Sequence, residues 1–558
     1  MAGRLQKPAV ALAGLALAMA GVAVWLLLAG DGNTLHGDEL FYYVHFVNKG
    51  SGVVRAEGLE YLFAPHNGHL VILGRLVYEL LFGLFGTDYF WFRLTEVVGL
   101  LVCGGLFFAL AWRRTSPPIA LAFTLSLLTL GYANEVMMWP FDLHTTYSAA
   151  LGLAAFLALE RDNRRGDVLA CVLLVLSVAM LEVGVAFAVG AAVSVLSRDD
   201  RRQRLWIFLA PVLLYFVWWV WAHKFDQSDI LLSNVRLIPL TVANALIAVV
   251  GSVTGLNPTA GAAPPEVTTI TAAPAVVAGL AVAGLAYRVR RGAVSPTLWM
   301  FVATALAYWV TMAMGGRAPD GTRYLYVGTL LVLLVAVDAI RGIRFSALAT
   351  LGFFAVFLFA LPSNVQKLND GRGPELNSAQ ILTSEFAMLD LARGRVASDY
   401  MPSTDPKVED AGGYQGIALE AGDYFYGEDR YGALAMPLPE LREKALEIRN
   451  IADASLVGAL RLSLRPAPPA ADPASCPSVT DASPDDAAYF ELPPGGALLG
   501  SRSGPVEVGA SRFARGEASV PLGELGAGRW AELRTPGDAA SDPWLAVVKG
   551  PVYVCPLP

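Results

Sequence analysis

The chain has 558 residues and a net charge of −7, with 55% hydrophobic residues and only 16% charged ones. Soluble proteins carry about 25% charged residues, so a soluble enzyme, a nucleic-acid binder and a disordered scaffold are all disfavoured. The charge is also unevenly spread: residues 1–362 hold 24 Lys and Arg against 21 Asp and Glu, while residues 363–558 hold 17 against 27. This is the pattern of a membrane protein with an acidic soluble tail. The lipid bilayer is its first expected partner, and nucleic acid is not among the others.

A crossing takes about 20 largely apolar residues. Stretches 8–30, 92–112, 118–139, 143–160, 168–181, 184–197, 205–222, 270–287, 296–314, 325–340 and 345–362 predict eleven transmembrane helices. The first run is longer than a signal-peptide core, and many spans follow it, so it reads as a retained helix. Residues 236–256 are apolar too, but Pro239, Gly251 and Gly255 predict an interfacial or re-entrant segment. Every second connection carries Arg or Lys, beginning with Arg4 and Lys7 and ending with Arg341 and Arg344. Sixteen of the 24 basic residues thereby fall on the predicted cytoplasmic side. Eleven crossings from a cytoplasmic N-terminus put the tail outside a bacterial plasma membrane.

The expected fold is thus an all-α membrane bundle over 1–362 followed by an extracytoplasmic α+β region. That region divides into a mostly helical segment, 363–461, and a small β-rich module, 462–558. Helical spacing marks 378–394 and 437–461. Strand-like runs at 487–492, 504–509, 544–548 and 551–555 alternate with turn residues. Cys476 and Cys555 are expected to pair, closing a loop of about 80 residues in a compartment where disulfides persist. The module reads as a carbohydrate binder or as a structural cap.

The first outer loop, 31–94, carries the strongest chemical signal. Asp38 and Glu39 follow the first apolar run by eight or nine residues, near the outer interface. Residues 70–85 hold Arg75 and Glu79 within an apolar stretch and read as an interfacial helix. All six His lie on predicted outer loops or outer helix ends, four of them within 34 residues. Transfer of a sugar from a lipid phosphate needs a carboxylate to deprotonate the acceptor and cations to offset charge on the departing phosphate. Asp38 or Glu39 suits the first role. Arg317 and Arg323, in the loop GGRAPDGTRYLYVG, suit the second.

The motif H-G-D-E-L after the first span, with this layout, resembles the GT-C superfamily of membrane glycosyltransferases. A-P-H-N-G-H and the later G-T-R-Y-L-Y are similar to a bacterial branch in which P-x-N-E-H-R and S-R-Y are expected. The resemblance covers roughly residues 8–362. It implies a polyprenyl-phosphate sugar donor, an envelope glycan, lipid or protein acceptor, and a base in the first outer loop, a role falling on Asp38 and then Glu39. His66, Asn67, His69, Arg323 and Tyr324 match motif positions. Gly68 stands where Glu is expected and Leu70 where Arg is expected.

No cofactor is required by this reading, although Asp38, His66 and His69 are candidates for a divalent metal. Glu135, Asp142, His144 and Glu182 flank outer turns, where they would line a substrate cavity or pair with Arg75 or Arg93. Two rival readings remain: a transporter or flippase for lipid-linked glycans, and an inactive GT-C-like assembly subunit, the latter because of Gly68 and Leu70.

Overall fold

The structure, a computed structural model, describes residues 8–47, 58–225, 230–256, 272–292, 294–415, 419–479, 487–537 and 540–557; Arg4 and Lys7 lie outside these. Contacts divide the chain into two units. The first comprises Met1–Asp31, Ala56–Leu81 and Phe90–Pro374; the second comprises Gly32–Arg55, Phe82–Tyr89 and Glu375–Pro558. The last piece of the first unit ends at Pro374, inside the long helix Ala347–Leu391. Two pieces of the first loop region, including Asp38, belong with the tail.

The first unit is a largely helical membrane bundle. Among the described residues, nine helices are long and apolar enough to cross a bilayer. Eight coincide with expected crossings. The other three expected crossings are the shorter helices Leu143–Leu159, Arg164–Met180 and Val183–Leu196. Local signals set their starts. Pro117 and Pro296 occupy first helical positions, where the missing N–H costs nothing. The Asn163 side chain accepts from Gly166 N at 2.8 Å, capping Arg164–Met180. Phe107, Phe156, Phe187 and Phe301 sit in one continuous core. Small residues let helices close up: a Cβ on Gly190 would come within 2.0 Å of Thr304 Oγ1.

The ninth long helix is Leu232–Thr254, where Pro239 falls in the first turn of Ile238–Thr254 and breaks nothing. At its start, Leu231 N and Asn234 Nδ2 donate to Met314 O at 3.1 and 3.0 Å. At its end, Ser252 O accepts from Asn364 Nδ2 at 3.0 Å, and Asn364 Oδ1 accepts from Tyr132 N at 3.4 Å. Met314 and Tyr132 both lie beside the rim where Glu135 meets Thr322 and Arg323. The helix therefore begins and ends near one rim.

At the opposite end, buried Arg114 donates through Nε to Asp338 at 3.0 Å and through Nη2 to Glu160 at 2.5 Å. Asp338 also accepts from Ser295 and from Thr297 at 2.8 Å. Arg204 bridges Asp162 and Asp167 in the same way. Such paired charges tolerate burial because each supplies the other's missing solvation.

In the second unit, helices Ala421–Tyr431, Leu438–Glu443 and Leu446–Ala459 precede, among the described residues, nine strands. These are β1 (Arg465–Pro466), β2 (Ser478–Val479), β3 (Ala488–Glu491), β4 (Gly495–Ser501), β5 (Val506–Ser511), β6 (Val520–Leu525), β7 (Trp530–Thr535), β8 (Leu545–Lys549) and β9 (Val552–Pro556). They form two antiparallel sheets, ordered β1-β7-β4-β9-β2 and β3-β8-β5-β6. Cys476 and Cys555 are joined by a disulfide. Leu446–Ala459 is the buried centre of this unit, its Ile448, Ile451, Leu456 and Val457 all enclosed. Its Asp453 carboxylate accepts from Arg512 N and Phe513 N at 2.8 Å, Ala514 N at 3.0 Å and Ser511 Oγ at 3.2 Å. One carboxylate thereby fixes the turn after β5.

Candidate functional site

Asp38 sits in a short loop between the first helix and the helix Glu39–Val47. Each neighbour in H-G-D-E has a structural commitment. His36 is buried, with Nδ1 on Thr34 O at 2.8 Å and Nε2 on Glu375 Oε2 at 2.5 Å. Burial disfavours its charged form, but the hydrogen bond to Glu375 and the charges of Glu39 and Glu375 outweigh this and hold its pKa above the ordinary value. Gly37 takes a positive φ of 57°, which a side chain would strain, and its N–H donates to Tyr414 Oη at 2.5 Å. Glu39 is fully buried and accepts from Tyr89 Oη at 2.9 Å and His36 N at 3.3 Å. Asp38 itself is partly exposed, in contrast to Glu39.

In the first unit, a second group of candidate residues gathers at one rim. Glu135 accepts from Thr322 Oγ1 and Arg323 Nη2, both at 2.7 Å, and Asp142 Oδ1 lies 3.5 Å from Arg323 Nε. The Arg323 guanidinium stands over the Trp139 ring, 5.1 Å from its centroid. Nearby, His69 Nδ1 meets Glu182 Oε1 at 2.7 Å. Burial opposes the charged form of His69, yet Glu182 raises its pKa overall against the opposing charges of Arg317 and Arg323. Glu182 is likewise desolvated, but His69 and Arg317 bring its pKa below the ordinary value. About a third of the His69 side chain remains exposed, so water screens this pair. Tyr324 shares the field of both arginines, and its carbonyl accepts from Tyr308 Oη at 3.1 Å.

The stretch A-P-H-N-G-H is a tight turn. His66 and His69 exchange backbone hydrogen bonds of 3.0 and 2.9 Å, with Asn67 at φ 50° and Gly68 at φ 81°. Two successive positive φ values are the signature of a two-residue hairpin turn, for which Asn-Gly is the favoured pair. The expected Glu would be strained at Gly68. Leu70, 1% exposed, packs with Val178, Trp218 and Ala222, a socket unsuited to a guanidinium. Both departures from the motif thus have local structural causes. Gly68→Glu is expected to cost about 1–2 kcal/mol, the price of a left-handed non-glycine residue, seen as a lowered thermal midpoint in detergent.

The remaining candidates are placed as follows. Arg75 is buried, donates to the carbonyls of Tyr61 and Ala64, and stacks 4.4 Å over Tyr61, so it braces the segment before its own helix. His144 is buried against Phe141 O and stacks on Tyr78. His66 lies 5.3 Å from the Phe141 ring. Among the described residues, no three His, Cys, Asp or Glu side chains are grouped to hold a metal ion. Sequence reasoning did not single out Tyr89, Trp139, Thr322, Glu375 or Tyr414. Trp139 and Thr322 were within reach, since they neighbour candidates in the chain. Glu375 and Tyr414 lie more than 300 residues from the loop they touch, and nothing local in the sequence marks them.

No family model and no curated protein matches the chain. It is similar to the crystal structure of ArnT from Cupriavidus metallidurans bound to undecaprenyl phosphate, at 15% identity and a TM-score of 0.43, covering 70% of this chain and 82% of that one.

Proposed function

We propose that the protein is a polytopic membrane glycosyltransferase that takes a sugar from a polyprenyl-phosphate donor and passes it to an envelope acceptor outside the plasma membrane. The observation that carries this reading is the placing of Asp38 within H-G-D-E, where it is partly exposed between the buried His36 and Glu39. A general base must reach the proton it removes, and a base held in one geometry wastes little motion in doing so. Asp38 takes the acceptor hydroxyl proton as the acceptor oxygen bonds to the sugar carbon and the donor phosphate leaves. Donor-phosphate binding is assigned, from the sequence, to Arg317, Arg323 and Tyr324. Glu135, Asp142 and Glu182 keep this rim from being a bare cluster of cations.

The test is transfer by the purified full chain in lipid nanodiscs, using radiolabelled polyprenyl-phosphate sugars and a panel of envelope glycans, lipids and proteins. Label should move to at least one acceptor. No movement across the panel, by protein with an intact thermal transition, counts against the enzyme. Arg317→Gln and Arg323→Gln should each raise the KM for donor about tenfold or more, the worth of a hydrogen bond to a charged group. Donor KM unchanged in both variants would remove the arginines from phosphate binding.

A further inference from the structure

The loop that carries Asp38 is not held by its own sequence neighbours alone. Two of its anchors come from the far end of the chain, within the same contact unit. Glu375 takes His36 Nε2 at 2.5 Å, and Tyr414 Oη takes the Gly37 N–H at 2.5 Å. Tyr414 is itself fixed, because its backbone N–H donates to Glu385 Oε1 at 2.7 Å. Glu385 is buried, and it lies on the same helix as Glu375, Ala347–Leu391. The part of this helix that belongs to the second unit therefore reaches the loop by two separate arms, one through His36 and one through Tyr414.

We propose that Tyr414 and Glu375 are positioning residues for Asp38, setting the direction in which its carboxylate is presented to the acceptor. This rests on the reading of Asp38 as the base. Gly37 immediately precedes Asp38 and is in a left-handed conformation. Its φ sets the angle between the 36–37 peptide, to which Tyr414 bonds, and the chain that leads into Asp38, so fixing that peptide fixes where Asp38 starts. The phenol suits a constant acceptor. Burial pushes its hydroxyl up to about 12, with Glu39 and Asp38 adding to the shift and the Gly37 amide opposing it. It therefore stays neutral throughout the physiological range. An error of about 1 Å in the placement of a reacting group is enough to cost about 100-fold in rate, so a bond at this point acts on the chemical step and not only on folding.

The experiment compares full-length wild type, Tyr414→Phe, Glu375→Ala, Glu375→Gln and Asp38→Asn in nanodiscs. It reads hydrogen exchange of the amides of residues 36–39, which needs no substrate, and kcat and KM with whichever radiolabelled polyprenyl-phosphate sugar wild type uses. Tyr414→Phe removes one oxygen and keeps the ring. It should speed exchange at Gly37 about tenfold, the worth of one hydrogen bond, and lower kcat 10- to 100-fold with donor KM unchanged. Glu375→Ala should behave alike, and Glu375→Gln should recover part of the loss, since its amide oxygen still meets His36.

Exchange and kcat at wild-type values in both Tyr414→Phe and Glu375→Ala overturn the proposal, as does faster exchange with unchanged kcat. If Asp38→Asn transfers sugar like wild type, the base reading fails. Faster exchange in Tyr414→Phe would then still show that the loop is anchored from the tail. Should Tyr414→Phe not fold, the comparison of Glu375→Ala with Glu375→Gln decides.

Discussion

Asp38→Asn is expected to lower kcat about 1000-fold or more while leaving donor KM and the thermal midpoint close to wild type. The amide is isosteric with the carboxylate but has no basicity, and general bases contribute about 100- to 10,000-fold to such steps. Folding should tolerate it because the isosteric amide keeps the side chain's shape, and His36, Gly37 and Glu39 anchor the loop independently. Glu39→Gln is the informative partner. Glu39 is buried and accepts from Tyr89 and His36, so its replacement should reach stability first. Rates of label transfer and melting curves on the two variants separate the roles. A full rate in Asp38→Asn, with Glu39→Gln inactive but folded, would move the base to Glu39.

The second large effect concerns the tail. Asp453→Ala leaves three backbone N–H groups and the Ser511 hydroxyl without their acceptor in a closed interior. Each such buried group costs about 1–3 kcal/mol, so a loss of about 3 kcal/mol or more is expected. Thermal unfolding of the full chain, followed by exchange of β5 amides, measures it. The same residue gives a pH signature. Burial pushes its carboxyl up to about 6, against the pull of the Arg512, Phe513 and Ala514 amides and the Ser511 hydroxyl. The unfolded chain releases that proton near 3.9. Between these values the folded state binds the extra proton, so the contribution to stability is full below about pH 4, falls as pH rises to about 6, and is level above. Asp453→Asn should lack this slope. An identical slope in both proteins would assign it to other groups.

Much of this arrangement was legible in the sequence because its cause is local. Apolar run length predicted the long helices, and four turn-bounded runs predicted β3, β5, β8 and β9. The shorter helices Leu143–Leu159 and Val183–Leu196 were read from their apolar runs as well, with the basic connections agreeing with the count. Asp38 stood out because an acidic pair after a first span is chemically conspicuous. Its supports did not, because Tyr414 and Glu375 act through contacts that only the folded chain creates. Gly68 illustrates the converse. Against a motif it showed only a departure, while its φ of 81° adds a backbone demand that only the turn makes visible. Arg75 looked like a rim cation and is buried against two carbonyls.

The helix Leu232–Thr254 bears on the expected side of the tail. By length and apolarity it is indistinguishable from a crossing, and adding it to the eleven would make the number even. Its start bonds to Met314 and its end to Asn364, which also meets Tyr132. An outer tail, as the sequence predicts, requires that this segment enter and leave on one side. The Cys476–Cys555 bridge is of the kind that persists in an oxidising compartment, as that expectation demands.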